Sequence, residues 1–136
     1  KKIHMSFKAE LTIEDQSYRV LSCSHTFSRD VDQTGRPSSR PRFGRINLQI
    51  EAVDHLFIIT AAYYNNPVSG TITFKKRDED VKMKEYIFEN AFVIEHSERF
   101  QSFGDSPMTI DLCISAHSLT LETSSEAVEM TNNWPV

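Results

Sequence analysis

Two short clusters carry the side chains best able to do chemistry, Cys23-Ser24-His25 and Cys113-Ile114-Ser115-Ala116-His117. On a strand, residues two apart share a face, so each cluster presents a thiol and an imidazole together. Two cysteines and two histidines suit tetrahedral zinc, which needs four ligand atoms about 2.0–2.3 Å from one metal. The second pair spans four positions, about 13 Å on an extended strand, and neither pair sits on a knuckle turn. The plain alternative is two small buried thiols and two ordinary histidines. A Cys–His nucleophile meets the same objection: nothing marks either thiol as activated, and no glycine-rich oxyanion loop follows.

Three other stretches are weaker still. Asp78-Glu79-Asp80 lacks the alternating Asp/Asn and glycine of a calcium loop, and Lys75, Lys76, Arg77 and Lys82 neutralise it, so it reads as a solvated turn. Gly35-Arg36-Pro37-Ser38-Ser39-Arg40 could hold an anion, but it precedes a strand and is no phosphate-binding loop. The five histidines form no cluster. The sequence therefore predicts no enzyme, no catalytic residue, no metal and no cofactor.

The elements that carry these residues are mostly strands. Phe7 to Ile13 alternates, with Phe7, Ala9, Leu11 and Ile13 against Lys8, Glu10 and Thr12. After a turn at Glu14 to Ser17, a second strand runs from Tyr18 to Phe27 with apolar residues on both faces, which predicts cover on both. Phe43 to Ala52 is a third strand. The central element is a hairpin within Gly70 to Phe100. Thr71 to Phe74 leads into six consecutive charges, Lys75 to Asp80, and strand composition returns at Met83 to Phe88 and Ala91 to Ile94. Glu89-Asn90 interrupts the returning strand and predicts a bulge or bend. A turn at Gln101 to Pro107 precedes a strand from Met108 to Ala116, extended by Leu119 and Leu121 past a small irregularity.

Leu56 to Tyr64 is apolar on nearly every side. It reads as a helix capped by Asp54 and stopped by Asn65-Asn66-Pro67, with a strand as competitor because of Ile58, Ile59 and Thr60. So little polar surface demands a sheet or a partner against it. Ser28 to Arg42 is the longest irregular stretch, 15 residues, too long for a simple hairpin. Arg29, Arg36, Arg40 and Arg42 make it the basic patch of an acidic chain. From Glu122 the sequence turns polar, predicting a mobile tail or one that orders on a neighbour, with Trp134 as an anchor. The whole reads as one domain over 1–136, a mostly antiparallel β-sandwich or barrel with one helix packed on it.

Composition bounds the function. Hydrophobic residues make up 39% and charged residues 25%, as in a folded globular protein. A net charge of −4 argues against a general nucleic-acid binder. No apolar run reaches the roughly 20 residues that cross a bilayer. Lys1-Lys2-Ile3-His4 is not followed by an apolar signal segment, and Met5 reads as the natural start, with residues 1–4 an expression remnant. Two cysteines are too few for a disulfide scaffold and fit a reducing cytoplasm. Complementary patches, an over-apolar helix and an arginine loop, predict a chain that meets copies of itself or a partner.

Several motifs are similar to a known family. Met5-Ser-Phe-Lys-Ala-Glu-Leu, Tyr18-Arg-Val-Leu-Ser-Cys-Ser, Thr34-Gly-Arg-Pro-Ser-Ser-Arg, Gly70-Thr-Ile-Thr-Phe-Lys-Lys-Arg-Asp-Glu-Asp with Met83-Lys, and Pro107-Met-Thr-Ile followed by Ile114-Ser-Ala resemble the type VI secretion tube protein of Bacteroidetes. This is a branch of the haemolysin-coregulated protein (Hcp) family, and the likeness runs from Met5 to about Leu121. The resemblance implies a two-sheet β-barrel with one flanking helix, assembled into hexameric rings that stack into an inner tube. The tube lies in a contractile sheath below a tip spike protein. It is built in the cytoplasm and expelled from the cell on sheath contraction, with secreted effectors in the lumen of some members. A phage-like tail tube would share the architecture; the alternative of another kind is a monomeric barrel that binds a small ligand or metal. In the tube reading, the loop residues Arg36, Pro37, Ser38, Ser39, Arg40 and Arg42 reach a neighbouring subunit or ring, and polar faces such as Lys8, Glu10 and Thr12 line a wet surface.

Overall fold

A computed structural model describes residues 7–79 and 81–135. The expectations for residues 1–4 and Met5, and the Asp80 position of the charged turn, lie outside the described residues. Seven strands and one helix follow in the order β1 (Phe7–Ile13), β2 (Gln16–His25), β3 (Arg45–Glu51), α1 (Phe57–Tyr63), β4 (Val68–Lys76), β5 (Lys82–Phe100), β6 (Met108–Thr123) and β7 (Ala127–Thr131).

The strands form one sheet in the order β3-β2-β1-β4-β5-β6-β7, and β3 also pairs with β6. That last pairing closes six strands into a barrel and leaves β7 outside the closure. The two-sheet arrangement implied by the resemblance is thus refined to a single sheet that closes on itself, which removes the edges an open sandwich would leave. Every pairing is antiparallel. β6 makes the closure possible through its length: its first half pairs with β3 from Thr109 to Ser115, and its second half with β7 from Ser118 to Glu122.

Period-two alternation puts Leu11, Ile13, Ile46, Ile50, Ile72 and Ile114 wholly inside. Each such side chain contributes about 1.5–3 kcal/mol by leaving water. Phe88 fills the middle at 0% exposure. Strand parity changes where bulges insert a residue. On β2 the register slips between Val20 and Ser22, so Tyr18 and Val20 face in before it, and Cys23 pairs with buried Leu48 after it. The apolar residues on both faces of β2 therefore come from a change of face, not from cover on both sides. The interruption at Glu89-Asn90 is a bulge as expected: Gly70 pairs with Phe88 but Val68 with Ala91. Asn90 takes φ 51°, tolerable for asparagine, and its backbone N–H donates to Ser69 Oγ at 3.1 Å. A second shift on β5, between Val93 and Glu95, had no marker in the sequence.

The apolar stretch is a helix, as expected. Its end is a Schellman motif: Asn65 adopts φ 56°, its N–H donates to Ala62 O at 3.2 Å, and Asn66 N–H donates to Ala61 O at 2.9 Å. Its start differs from expectation. Leu56 occupies the N-cap with no side-chain hydrogen bond, and Asp54 lies two residues too early to cap. Ile58 and Ala61 join the core.

The predicted polar tail is also corrected. β6 continues to Thr123, and β7 pairs back onto it. Trp134 then packs on His117, ring centroids 4.7 Å apart, and on Phe92 at 6.1 Å. Its anchoring role holds, but on the chain's own barrel.

Candidate assembly surfaces

In an antiparallel barrel, consecutive connections alternate between the two ends. The β1–β2 turn, the α1 connection and the β5–β6 turn share one end; the 26–44 loop and the β4–β5 hairpin share the other.

The loop is ordered by its own turn chemistry. Ser28 bridges Arg42, and Val31 bridges Pro37, so the segment is a small irregular hairpin. At its tip Asp32 Oδ1 accepts from Thr34 N–H, Thr34 Oγ1 and Arg36 N–H at 2.7–3.0 Å. Those three donors hold the Asp32 carboxyl below its ordinary range. Gly35 takes φ 87°, the left-handed region that glycine enters without cost. At the base Arg42 grips Asp30 through two parallel bonds of 2.7 and 2.8 Å, lowering the Asp30 pKa and raising its own. Ser39 Oγ accepts from Asp30 N–H at 2.8 Å.

These contacts divide the predicted contact residues. Arg42, Ser39, Pro37 and Ser38, whose N–H donates to Asp30 O at 2.9 Å, build the loop's frame, and Arg36 and Arg40 stand exposed. Neither has a hydrogen-bonding or ionic side-chain partner among the described residues, whereas Arg29 lies over the Phe27 ring at 5.6 Å. Phe27 and Val31 flank the hairpin at 53% and 60% exposure.

The opposite end is apolar at its rim. Leu56, Tyr63 and Tyr64 are 66–80% exposed on and beside α1, with Phe100, Phe103 and Met108 nearby in the chain turn. Beneath the helix lies a cavity of about 330 Å³ lined by Tyr18, His55, Ile58, Ile59, His96 and Glu98 among others. Tyr18 is 2% exposed and its hydroxyl has no hydrogen-bond partner; the same holds for the buried Nδ1 of His55. Their rings meet edge-on at 5.7 Å. Burial pushes the Tyr18 phenol up to about 12. Sequence reasoning missed this site. Its members come from β2, the β3–α1 link, α1 and β5, and no local spacing joins them.

A third surface is the outer face of β2, β3, β6 and β5. A groove of about 600 Å³ runs across it, lined by Ser22, Ser24, Asn47, Glu95, Ser97 and Asp111 among others. Asp111 accepts from Gln49 at 3.2 Å and pairs with Arg99 at 3.6 Å. Of the polar residues of β1 that were expected on a wet surface, Lys8 and Glu10 are exposed and Thr12 is half-buried.

The Cys/His constellation does not assemble. Cys23 packs against the core, whereas Cys113 has the parity of Asp111, opposite to Leu112 and Ile114. His25 packs on Tyr86 with centroids 4.9 Å apart, and His117 on Trp134. Among the described residues no group of three or more His, Cys, Asp or Glu could hold a metal. Both thiols are free, and burial raises the pKa of each, Cys23 to about 11. No helix of the described residues is long and apolar enough to cross a membrane.

The family model of Hemolysin coregulated protein Hcp (TssD) matches residues 5–135. The chain belongs to the Hcp family. Among solved structures it is similar to Hcp1 from Flavobacterium johnsoniae, with 28% identity and a TM-score of 0.81 over 92% of this chain and 99% of that one. Hcp1 from Salmonella typhimurium matches with 10% identity and a TM-score of 0.75, covering 92% and 93%. The baseplate of the anti-feeding prophage contains a chain with 5% identity and a TM-score of 0.53, covering 93% and 98%. These last two show the fold alone. A comparison with curated protein sequences gave no match. The chain is thus a structural subunit of the type VI secretion tube, and its likeness to a Flavobacterium protein fits the Bacteroidetes branch indicated by its motifs.

Proposed function

We propose that this Hcp chain works as a homohexameric ring, that rings stack head to tail into the inner tube, and that the tube is expelled by a contractile sheath beneath a tip spike. It is assembled in the cytoplasm and leaves the cell with the tube, and effectors ride in the lumen. The sheath supplies the energy, so the chain itself performs no catalytic step and binds no cofactor. The observation that carries the reading is the family match across residues 5–135 on a barrel whose two ends remain unpartnered and unlike. Unlike ends favour heterologous association, which propagates along an axis. The loop, through Arg36, Pro37, Ser38, Ser39, Arg40 and Arg42, is the proposed contact to a neighbouring subunit or ring. Modest contacts suffice, because six copies per ring engage together.

Native mass spectrometry with negative-stain imaging, at low and high salt, tests this. A six-subunit ring with a central hole is expected, with stacking that weakens as salt screens the loop arginines. A monomer at high protein concentration would sink the proposal.

A further inference from the structure

A second groove opens beside α1, between the helix and the β1–β2 turn, with a volume of about 420 Å³. Leu56, Phe57, Ala61, Pro67 and Val68 give it apolar walls, and among the described residues lining it Glu14 alone is charged. Glu14, Leu56 and Pro67 are exposed, so the mouth is open to another molecule. The connections at this end, residues 14–15, 52–67 and 101–107, carry Glu14, Asp15, Asp54 and Asp105 and no Lys or Arg. All four carboxylates are exposed, and none has an ionic or hydrogen-bonding side-chain partner among the described residues. The groove therefore suits an occupant with apolar bulk and uncompensated positive charge.

The 26–44 loop at the far end has both. It carries four arginines against two aspartates, and both aspartates are occupied within the loop, Asp30 by Arg42 and Asp32 by the donors of the tip. Arg36 and Arg40 keep their charge uncompensated among the described residues, and Phe27 and Val31 lie exposed on the same loop. Its bridges and turn bonds fix its shape beforehand, so little conformational freedom is lost on docking. It does not reach its own groove, because the ten residues of β2 separate the two ends by roughly 33 Å of strand. We propose that the tip of this loop in one copy docks in the groove between α1 and the β1–β2 turn of the next. Arg36 then stands against Glu14 and Asp15, and the loop's exposed apolar side chains meet Leu56. Each exposed ion pair is weak alone and screened by salt, but the copies of a ring engage together. This rests on the stacked-ring reading and adds the receiving surface to it.

The test pairs assembly with a measurement that needs no ring. In the first, Arg36→Glu, Glu14→Arg and the double variant are compared at low salt, with ring integrity read by native mass spectrometry and stacking by light scattering. Glu14 sits at φ 52°, so Glu14→Arg exchanges one non-glycine side chain for another at that backbone position. Each single change is expected to weaken stacking by on the order of tenfold or more while rings persist, and the double variant to restore much of it. Rings that stack normally in both single variants, or a double variant no better than either, overturn the docking assignment and leave the ring reading standing. In the second, protein carrying Gln33→Cys at the loop tip is mixed with protein carrying Asn66→Cys at the groove, under mild oxidant, and the mixed disulfide is followed by mass spectrometry. It should form on the order of tenfold faster than with a Glu89→Cys control on the barrel wall, and adding Arg36→Glu should abolish the difference. Cross-linking no faster than the control, or indifferent to Arg36→Glu, overturns the docking whether or not rings form.

Discussion

Among the four glycines, Gly70 leaves an added Cβ the least room. It lies on β4 between Ile13 of β1 and Phe88 of β5. A Cβ added there would stand 2.1 Å from the Thr12 carbonyl oxygen and 3.1 Å from Phe88 Cζ. An ordinary contact begins near 3.4 Å, so Gly70→Ala requires more than an ångström of movement. The nearest atom is backbone in a paired strand and cannot rotate away. Opening the β1–β4 ladder locally sacrifices about one hydrogen bond, about 0.5–1.5 kcal/mol, on top of an overpacking cost of about 1–3 kcal/mol. The expected loss is therefore about 2–4 kcal/mol. For a domain of this size that lowers Tm by roughly 7–14 °C.

Thermal unfolding followed by circular dichroism, at matched protein and salt concentrations, reads this directly. Trimming the ring with Phe88→Leu in the Gly70→Ala background should not restore stability, because the carbonyl clash persists. A Gly70→Ala protein as stable as wild type would refute the reasoning, and so would full rescue by Phe88→Leu, which would make the ring and not the backbone the obstacle.

Other sites give shorter expectations. Trp134→Ala removes two aromatic contacts, each worth about 0.5–1.5 kcal/mol, and should free β7 first; hydrogen exchange at Ala127–Thr131 that rises ahead of the barrel strands would show it, and unchanged exchange would contradict it. Cys23 and Cys113 should resist thiol reagents at pH 8 until the barrel is unfolded, since burial holds both thiols protonated; rapid native-state labelling of Cys23 would be the contrary result. His25 has its pKa lowered by burial first and by Lys84 second, so the fold favours the neutral ring. That contribution is complete above the ordinary value of 6.5 and is lost as pH falls from there through the depressed folded value. A plot of Tm against pH should flatten below 6.5 in His25→Phe, and an unaltered slope would discount the role of His25.

The legible parts of the fold were those written in local periodicity. β1, β3 and the first half of β6 alternate because each packs one face on a single core. The end of α1 was readable because Asn65-Asn66-Pro67 has the chemistry of a Schellman stop. The Glu89-Asn90 bulge was readable because two polar residues, one tolerant of positive φ, broke an apolar run. The bulges near Leu21 and Ile94 carry no such mark. They arise from fitting long strands around a closed barrel, a constraint set by strands distant in sequence. β7 was hidden for a related reason: only Met130 of its five residues packs on the core, so its pairing with β6 outweighs any signal of its own.

The candidate site divides along the same line. The loop's composition announced arginines and turn formers, but which arginines remain available depends on geometry. Arg42 is consumed by Asp30, Arg29 is laid on Phe27, and only Arg36 and Arg40 stand free of described partners. The cavity could not be read at all. Tyr18 read only as the first residue of a strand with apolar side chains on both faces, and nothing in the sequence singled out His55. Their orphaned polar atoms become informative only once α1 closes over them. Among the described residues three buried polar atoms lack a partner, Tyr18 Oη and His55 Nδ1 near α1 and His25 Nδ1 where β2 runs into the loop, so unsatisfied groups by themselves do not set one end of the barrel apart from the other.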